Sequence, residues 1–224
     1  MATFGFIGEG VTDQIIIENV LLGFAHSHDL DEPEILPLQP SFDYAPGGWT
    51  LIFHYLRRGE YRTALQTLDF LVIHVDSDVS QEIGFDVPWN DSNGALPIET
   101  LVQNVVARLV ELIGKETYEA HAQRFIFAIA VHSTECWLMP LVFHDKKGEK
   151  ITGCLEAINY ELRAVRSEKP LSLADGSGKE PKAYRQLSRD YRKPKVLREG
   201  AAKNPSLMLF VRQLERLVPS AEAV

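Results

Sequence analysis

FIGEGVTD, residues 6–13, decides how this chain is read. Apolar residues run straight into Glu9, which Gly8 and Gly10 bracket, and Asp13 follows four positions later at the head of the apolar segment QIIIENVLLGF. TFGFIGEG, residues 3–10, predicts a strand closed by a glycine turn. Beyond it, apolar residues at 15, 16, 17, 20, 21, 22 and 24 predict a helix, with Thr12 or Asp13 placed to cap its N-terminus. Strand, tight turn, helix is the opening of an α/β unit, and here the turn carries a carboxylate.

The same alternation continues. PEILPLQP, residues 33–40, reads as a short second strand fenced by prolines, and GGWTLIFHYLRRGE, residues 47–60, as a helix after a Gly-Gly break. LDFLVIHVDSD, residues 68–78, is apolar on both faces until it meets acid, as a central parallel strand would be. Residues 80–97, SQEIGFDVPWNDSNGALP, predict a long loop beside that acid. A helix then runs to Gly114 or slightly beyond, and RFIFAIAVHSTECW, residues 124–137, reads as a fourth strand running out into polar residues. With right-handed crossovers, this order gives an α/β fold: a mostly parallel sheet with helices on both faces.

Beyond residue 145 the character changes to a helix at ITGCLEAINYELRAVRS, a flexible polar stretch, a basic segment and a closing helix, SLMLFVRQLERLV. Two units are therefore expected, a core over residues 1–145 and a basic helical extension over 146–224, with the tail after Pro219 frayed. At 224 residues and 45% hydrophobic content the chain can bury a full core. Its longest apolar runs fall far short of the roughly 20 residues that cross a bilayer, and no signal-peptide pattern opens it. No membrane association and a cytoplasmic location are expected, with Cys136 and Cys154 as two reduced thiols.

The net charge of -8 is unevenly spread. Residues 1–145 carry 6 Lys and Arg against 21 Asp and Glu, whereas residues 146–224 carry 17 against 10. Clustered carboxylates suit a divalent cation and a basic part suits phosphates, although either can be no more than a solvated face.

Ligands of an open parallel sheet bind beyond the carboxyl ends of its strands. Three predicted strands end in acid there: the first at Glu9 with Asp13 one helical turn on, the third at Asp76 and Asp78, the fourth at Glu135. Crowded carboxylates repel unless a cation neutralises them, and oxygen ligands select Mg²⁺ or Mn²⁺. An isolated Asp-x-Asp after a strand is ordinary turn chemistry, and so is Glu9 alone; the recurrence of acid at three strand ends carries the metal reading.

GEGVTD followed by HVDSD about 65 residues later resembles the TOPRIM domain, whose signature is a glutamate after the first strand and an Asp-x-Asp after the third. Topoisomerases of types IA and II, bacterial primases and OLD-type nucleases belong to it. The sequence is more similar to small bacterial TOPRIM-like proteins of the RloB-like kind, in which a strand such as AIAVHSTECWLMPLV carries a glutamate followed by Trp-Leu, and NPSLMLFVRQLERL resembles their closing helix. The resemblance covers residues 3 to 145 more firmly than the tail. It implies a TOPRIM-like, Rossmann-like core in which Glu9 is a metal ligand or general acid/base and Asp76 and Asp78 are metal ligands, with Asp13 and Glu135 next in rank. It further implies a Mg²⁺- or Mn²⁺-dependent nuclease, an effector of bacterial anti-phage defence paired with an ATPase. No topoisomerase-type tyrosine motif is identifiable, which favours simple hydrolysis over strand passage.

Lys179, Lys182, Arg185, Arg189, Arg192, Lys193, Lys195 and Arg198, interleaved with Tyr184 and Tyr191, are candidates to neutralise phosphates and stack on bases of DNA or RNA. Lys193 or Lys195 would be the residue to reach the acidic site. HSHDLDE, residues 26–32, reads as a helix end rather than a metal motif. His74 reads as a satisfied core or rim histidine, His132 as one that could assist the site, Trp137 as packing, and Trp89 as either a base-stacking residue or a pin for its loop. With no Walker loop the chain is not itself an ATPase, and no serine or cysteine nucleophile has a recognisable setting. A non-catalytic module that binds nucleic acid or protein, and a receiver-like phosphoacceptor, are the other readings; oligomerisation is left open.

Overall fold

A computed structural model describes residues 1–41, 46–173 and 178–218. The tail after Pro219, expected to fray, lies outside the described residues. In chain order the elements are β1 (Thr3–Ile7), α1 (Val11–Ser27), β2 (Glu34–Gln39), α2 (Trp49–Arg57), α3 (Tyr61–Ala64), β3 (Phe70–Asp76), the short hairpin β4 (Asn90–Asp91) and β5 (Gly94–Ala95), α4 (Ile98–Ile113), α5 (Lys115–His121) and β6 (Phe125–Ala130). They continue with α6 (Glu135–Val142), α7 (Cys154–Tyr160), α8 (Pro181–Ser188), α9 (Pro194–Lys203) and α10 (Pro205–Leu214).

Four strands form one parallel sheet in the order β2-β1-β3-β6. Alternation along the strands sends Phe4, Phe6, Val72, Ile126 and Ala128 to one face, where α1 and α6 to α10 pack. Ile7, Leu71, Ile73, Val75, Phe127 and Ile129 point to the other face, covered by α2, α3 and α4. Burial on both faces explains why β3 and β6 read as unbroken apolar runs. The architecture is α/β with a parallel four-stranded sheet and helices on both sides.

Three expectations change. First, the fourth strand ends at Ala130, and Glu135 is the first residue of α6 instead of a strand terminus. His132 adopts a left-handed backbone (φ 59°) that bends the chain off the strand, and the bend is tied down where the Ser77 hydroxyl accepts from His132 N–H at 2.9 Å and the Asp78 N–H donates to the His132 carbonyl at 3.0 Å. Second, Cys136 and Cys154 are not free thiols: a disulfide joins α6 to α7, and both cysteines are buried. Third, the long loop after β3 carries the small β4–β5 hairpin, and Trp89 pins it by donating to the Ser77 carbonyl and the Ser80 hydroxyl, each at 2.8 Å.

The segment beyond residue 145 completes one helical layer of the sheet. Tyr184, Tyr191, Leu197, Leu207 and Phe210 share a core with Phe6, Val72 and Trp137. Gly23 of α1 makes one docking point, since a Cβ there would lie 1.9 Å from the Tyr191 carbonyl oxygen. At the free edge of the sheet, the Gln213 side chain accepts from Phe127 N–H at 3.0 Å and donates to its carbonyl at 2.7 Å, satisfying that part of β6 without another strand. Trp137 is a packing residue, fully buried and stacked on Phe210.

Candidate metal centre

The carboxyl edge of the sheet gathers the acid. Glu9 follows β1, Asp76 is the last residue of β3 with Asp78 two positions beyond, Asp13 lies in the first turn of α1, and Glu135 opens α6. Because β1 and β3 are parallel neighbours, with Ile7 paired to Ile73, their ends lie side by side. The Asp76 N–H donates to Oε1 of Glu9 at 2.9 Å. Gly48 holds Glu9 from the other side, its N–H donating to the Glu9 carbonyl at 2.8 Å. Gly48 needs the freedom of glycine (φ 99°), and a Cβ on Gly47 would stand 1.8 Å from the Glu9 carbonyl oxygen. The Gly-Gly break ahead of α2 is thus a clamp on the Glu9 backbone.

Asp76 is oriented from behind. The N–H and hydroxyl of Thr134 both donate to its Oδ1, at 2.9 and 2.7 Å. His74, two residues earlier and so on the same face of β3, places Nε2 2.9 Å from the Thr134 hydroxyl oxygen and 3.3 Å from Asp76 Oδ1. Its Nδ1 lies 2.7 Å from the Ala128 carbonyl. That carbonyl only accepts, so Nδ1 carries a hydrogen; the single hydroxyl hydrogen of Thr134 goes to the carboxylate, so Nε2 carries one too. This pattern suits the imidazolium form of His74, whose ring is fully buried between Phe6 and Trp137.

Asp13 does not cap α1: Gly10 holds that position with no side-chain bond, and the Asp13 carboxyl turns inward at 2% exposure. Its Oδ1 is buried with no hydrogen-bond partner among the described residues. The Lys179 ammonium lies 4.0 Å from that oxygen and 2.7 Å from Oε1 of Glu135, which also accepts from the Tyr184 hydroxyl at 2.5 Å. Asp78 is exposed at the rim.

The electrostatics follow from burial and crowding. Burial first, and then the negative charge of Asp76, push the Glu9 carboxyl up to about 8, with His74 and the Asp76 N–H pulling the other way. Burial raises Asp13 to about 6, Lys179 partly offsetting it and Asp76 adding to it. Asp78, at the rim, is raised by the partial shielding of its carboxyl and by Asp76. Burial opposes charge on His74, but the bond to Asp76 and the charges of Asp13, Asp76 and Glu9 outweigh it and lift the ring to about 9. Burial likewise works against Glu135, yet Lys179 and Tyr184 hold it below the ordinary glutamate range.

Asp13, His74 and Asp76 each offer an atom of metal-ligand type, and these atoms all lie within 4.8 Å of one another. With both His74 nitrogens occupied as donors, the oxygens of Asp13 and Asp76, beside Glu9, are the groups suited to a cation. The unpartnered Asp13 oxygen is the specific place where one fits: a buried carboxylate oxygen without a donor costs free energy that a bound cation would recover.

The predicted site residues thus divide. Glu9, Asp13, Asp76 and Glu135 meet; Asp78 stands at the rim. Of the predicted nucleic-acid residues, Lys182, Arg185 and Arg189 are exposed on α8 and just beyond it. Arg192 instead donates to Asn19 at 2.5 Å and lies 3.6 Å from Glu18. Lys193 and Lys195 pair with Asp190 and Glu199, so neither is the lysine of the acidic site. Tyr184 and Tyr191 are fully buried and cannot stack on bases. Sequence reading passed over Thr134, and although it named His74 as a satisfied core or rim histidine, Tyr184 as a stacking residue and Lys179 as a phosphate partner, it placed none of them at the acidic site. Only His74 carried a signal, its two-residue offset from Asp76. HSHDLDE is the end of α1 as expected, with His26 bonded to the Arg192 carbonyl and to Glu32.

No protein-family model, no curated protein and no solved structure matches the chain.

Proposed function

We propose that this protein hydrolyses phosphodiester bonds of nucleic acid with the help of Mg²⁺ or Mn²⁺, in the manner of a TOPRIM-like nuclease. One observation carries the reading: carboxylates delivered by β1, α1, β3 and α6 converge at one sheet edge around a buried Asp13 oxygen that has no partner. Adjacency of β1 and β3, which sets Glu9 against Asp76, supports the TOPRIM-like form of it.

A divalent ion held by Asp13 and Asp76 would polarise the phosphoryl group, help generate hydroxide and steady the leaving alkoxide. Glu9, raised to about 8 in the metal-free protein, would be the residue fitted to give a proton to the leaving oxygen. His74 and Thr134 orient Asp76, and Tyr184 orients Glu135. The exposed cations of α8 would track the phosphate backbone. Defence against phage, in the cytoplasm and beside an ATPase that supplies what this chain lacks, belongs to the same proposal. Among the described residues no helix is long and apolar enough to cross a membrane.

The test is incubation with labelled plasmid, single-stranded DNA and tRNA in Mg²⁺, Mn²⁺ or EDTA, beside the Asp76→Asn/Asp78→Asn variant. Cleavage that requires metal and vanishes in the variant is expected. Cleavage that survives in EDTA or in a folded variant would sink the proposal.

A further inference from the structure

The acidic cluster has two poles. Around Glu9, Asp13 and Asp76 the internal positive charge is His74, spent on Thr134, Asp76 and the Ala128 carbonyl, and the Asp13 oxygen has no donor. Around Glu135 the position in front of the carboxylate is filled: Lys179 sits at 2.7 Å and Tyr184 at 2.5 Å, both on Oε1.

Lys179 is delivered to this place by fixed backbone. Residues Ser172 and Lys179 form an antiparallel bridge, flanked by bonds from Leu173 N–H to Gly178 O at 2.8 Å and from Glu180 N–H to Leu171 O at 2.6 Å. The Asn159 carboxamide on α7 accepts from Leu171 N–H at 2.7 Å and donates to the Ser172 hydroxyl at 2.7 Å, which ties the bridge down. Glu180 then caps α8, whose inward face carries Tyr184 to Glu135. The Lys179 side chain is 38% exposed, so its charge faces both the buried acids and the open side of the site.

Centres that cleave phosphodiesters with two metals place one cation at each oxygen of the in-line displacement. Here the Lys179 ammonium lies 4.0 Å from Asp13 Oδ1 and in direct contact with Glu135. We infer that Lys179 is a built-in second cation: it occupies the Glu135 pole where a second divalent ion would otherwise bind, so that the centre takes one metal ion and uses the ammonium for the other positive charge facing the phosphate. This rests on the metal-centre reading above. A lysine can do this because its ammonium is a compact point charge on a long stem.

The experiment counts Mn²⁺ per chain by the loss of the free-ion electron paramagnetic resonance signal near neutral pH, without nucleic acid. Wild type and Lys179→Arg are expected to bind one ion. Lys179→Gln, and Lys179→Met as a second variant that keeps the stem's bulk, are expected to bind two, the added one being lost again in Lys179→Gln/Glu135→Gln. Two ions in wild type, or one in both folded neutral variants, would overturn the inference and leave the metal centre standing. No ion in wild type would overturn both. Two ions in wild type overturn the inference whether or not a variant folds, and either folded neutral variant suffices to test the role of the lysine.

Discussion

The N–H of Asp76 donates to Oε1 of Glu9 across 2.9 Å, joining the end of β3 to the turn after β1. This bond does not favour a proton on Glu9, since an N–H donor prefers the ionised acceptor. The raised Glu9 carboxyl is a consequence of burial and of the neighbouring Asp76 charge, against which the bond is the lesser effect. Ionising the acids at this edge therefore costs folding free energy, and the predictions below measure that cost.

Asp13→Asn should separate stability from metal binding. Burial raises Asp13 to about 6, so near neutral pH its charge opposes folding. Removing the charge is expected to stabilise the metal-free protein by about 1–2 kcal/mol, a rise in melting temperature of roughly 2–8 °C. The same variant should weaken Mn²⁺ binding at least about tenfold, because the unpartnered oxygen is lost as a ligand. Thermal unfolding in EDTA beside Mn²⁺ titration tests this; a variant less stable than wild type and equal in affinity would remove Asp13 from the centre.

In EDTA the protein should lose stability as pH rises through neutrality. The raised acids Asp13 and Glu9 bind protons in the folded state that they have released when unfolded, over about pH 4 to 6 and 4.5 to 8 respectively. His74, raised to about 9, contributes stability that is fully present below its unfolded value of 6.5 and is lost as pH climbs through 9. All three shifts have the same sign. The melting temperature is expected to fall by several degrees between about pH 5.5 and about pH 8.5, and saturating Mg²⁺ should shrink the difference because it binds the ionised acids. A melting temperature that rises with pH in EDTA would contradict the burial of these charges.

The disulfide makes a separate claim. Cys136 and Cys154 are 18 residues apart and lie on α6 and α7, with Cys136 next to Glu135. Closing a loop of that size is worth about 3 kcal/mol, so the double Cys→Ser variant should melt roughly 6–12 °C lower. Thiol titration of the native, unreduced protein should find no free thiol. Two titratable thiols in that material, with no change in melting on adding reductant, would show that the pair does not form.

How much of this was legible in the sequence depended on how far each signal travels. Glu9 and Asp76 were readable because each ends an apolar run buried on both faces, and the run states where the strand stops. Glu135 was recognised but misplaced, since the end of β6 is set by the left-handed turn at His132, which no hydrophobic pattern announces. Lys179 belongs to the centre only because the ladder at Ser172 and Lys179 packs it there, 44 residues beyond Glu135. Tyr184 and Tyr191 looked like partners of the surrounding basic residues. With Ala183 and Leu187 they form an apolar stripe that the lysines and arginines around it conceal, and burial of that stripe against α1 and α6 also decides which cations face outward.

Those outward cations give the last prediction. Lys182, Arg185 and Arg189 fall at i, i+3 and i+7, within one face of α8 and its continuation, and none of the described carboxylates pairs with them. Arg192, Lys193 and Lys195 have acidic partners of their own and so have less charge to offer a phosphate. Binding of a labelled single-stranded oligonucleotide in EDTA, followed by anisotropy across a salt titration, distinguishes the two sets. Replacing all three α8 cations by alanine should flatten the slope of log affinity against log salt by about 2, at roughly 0.7 for each lost phosphate contact. Replacing Lys193 and Lys195 together should change it by less than about 0.7. Equal effects from the two sets would mean that α8 is not the face that meets the backbone.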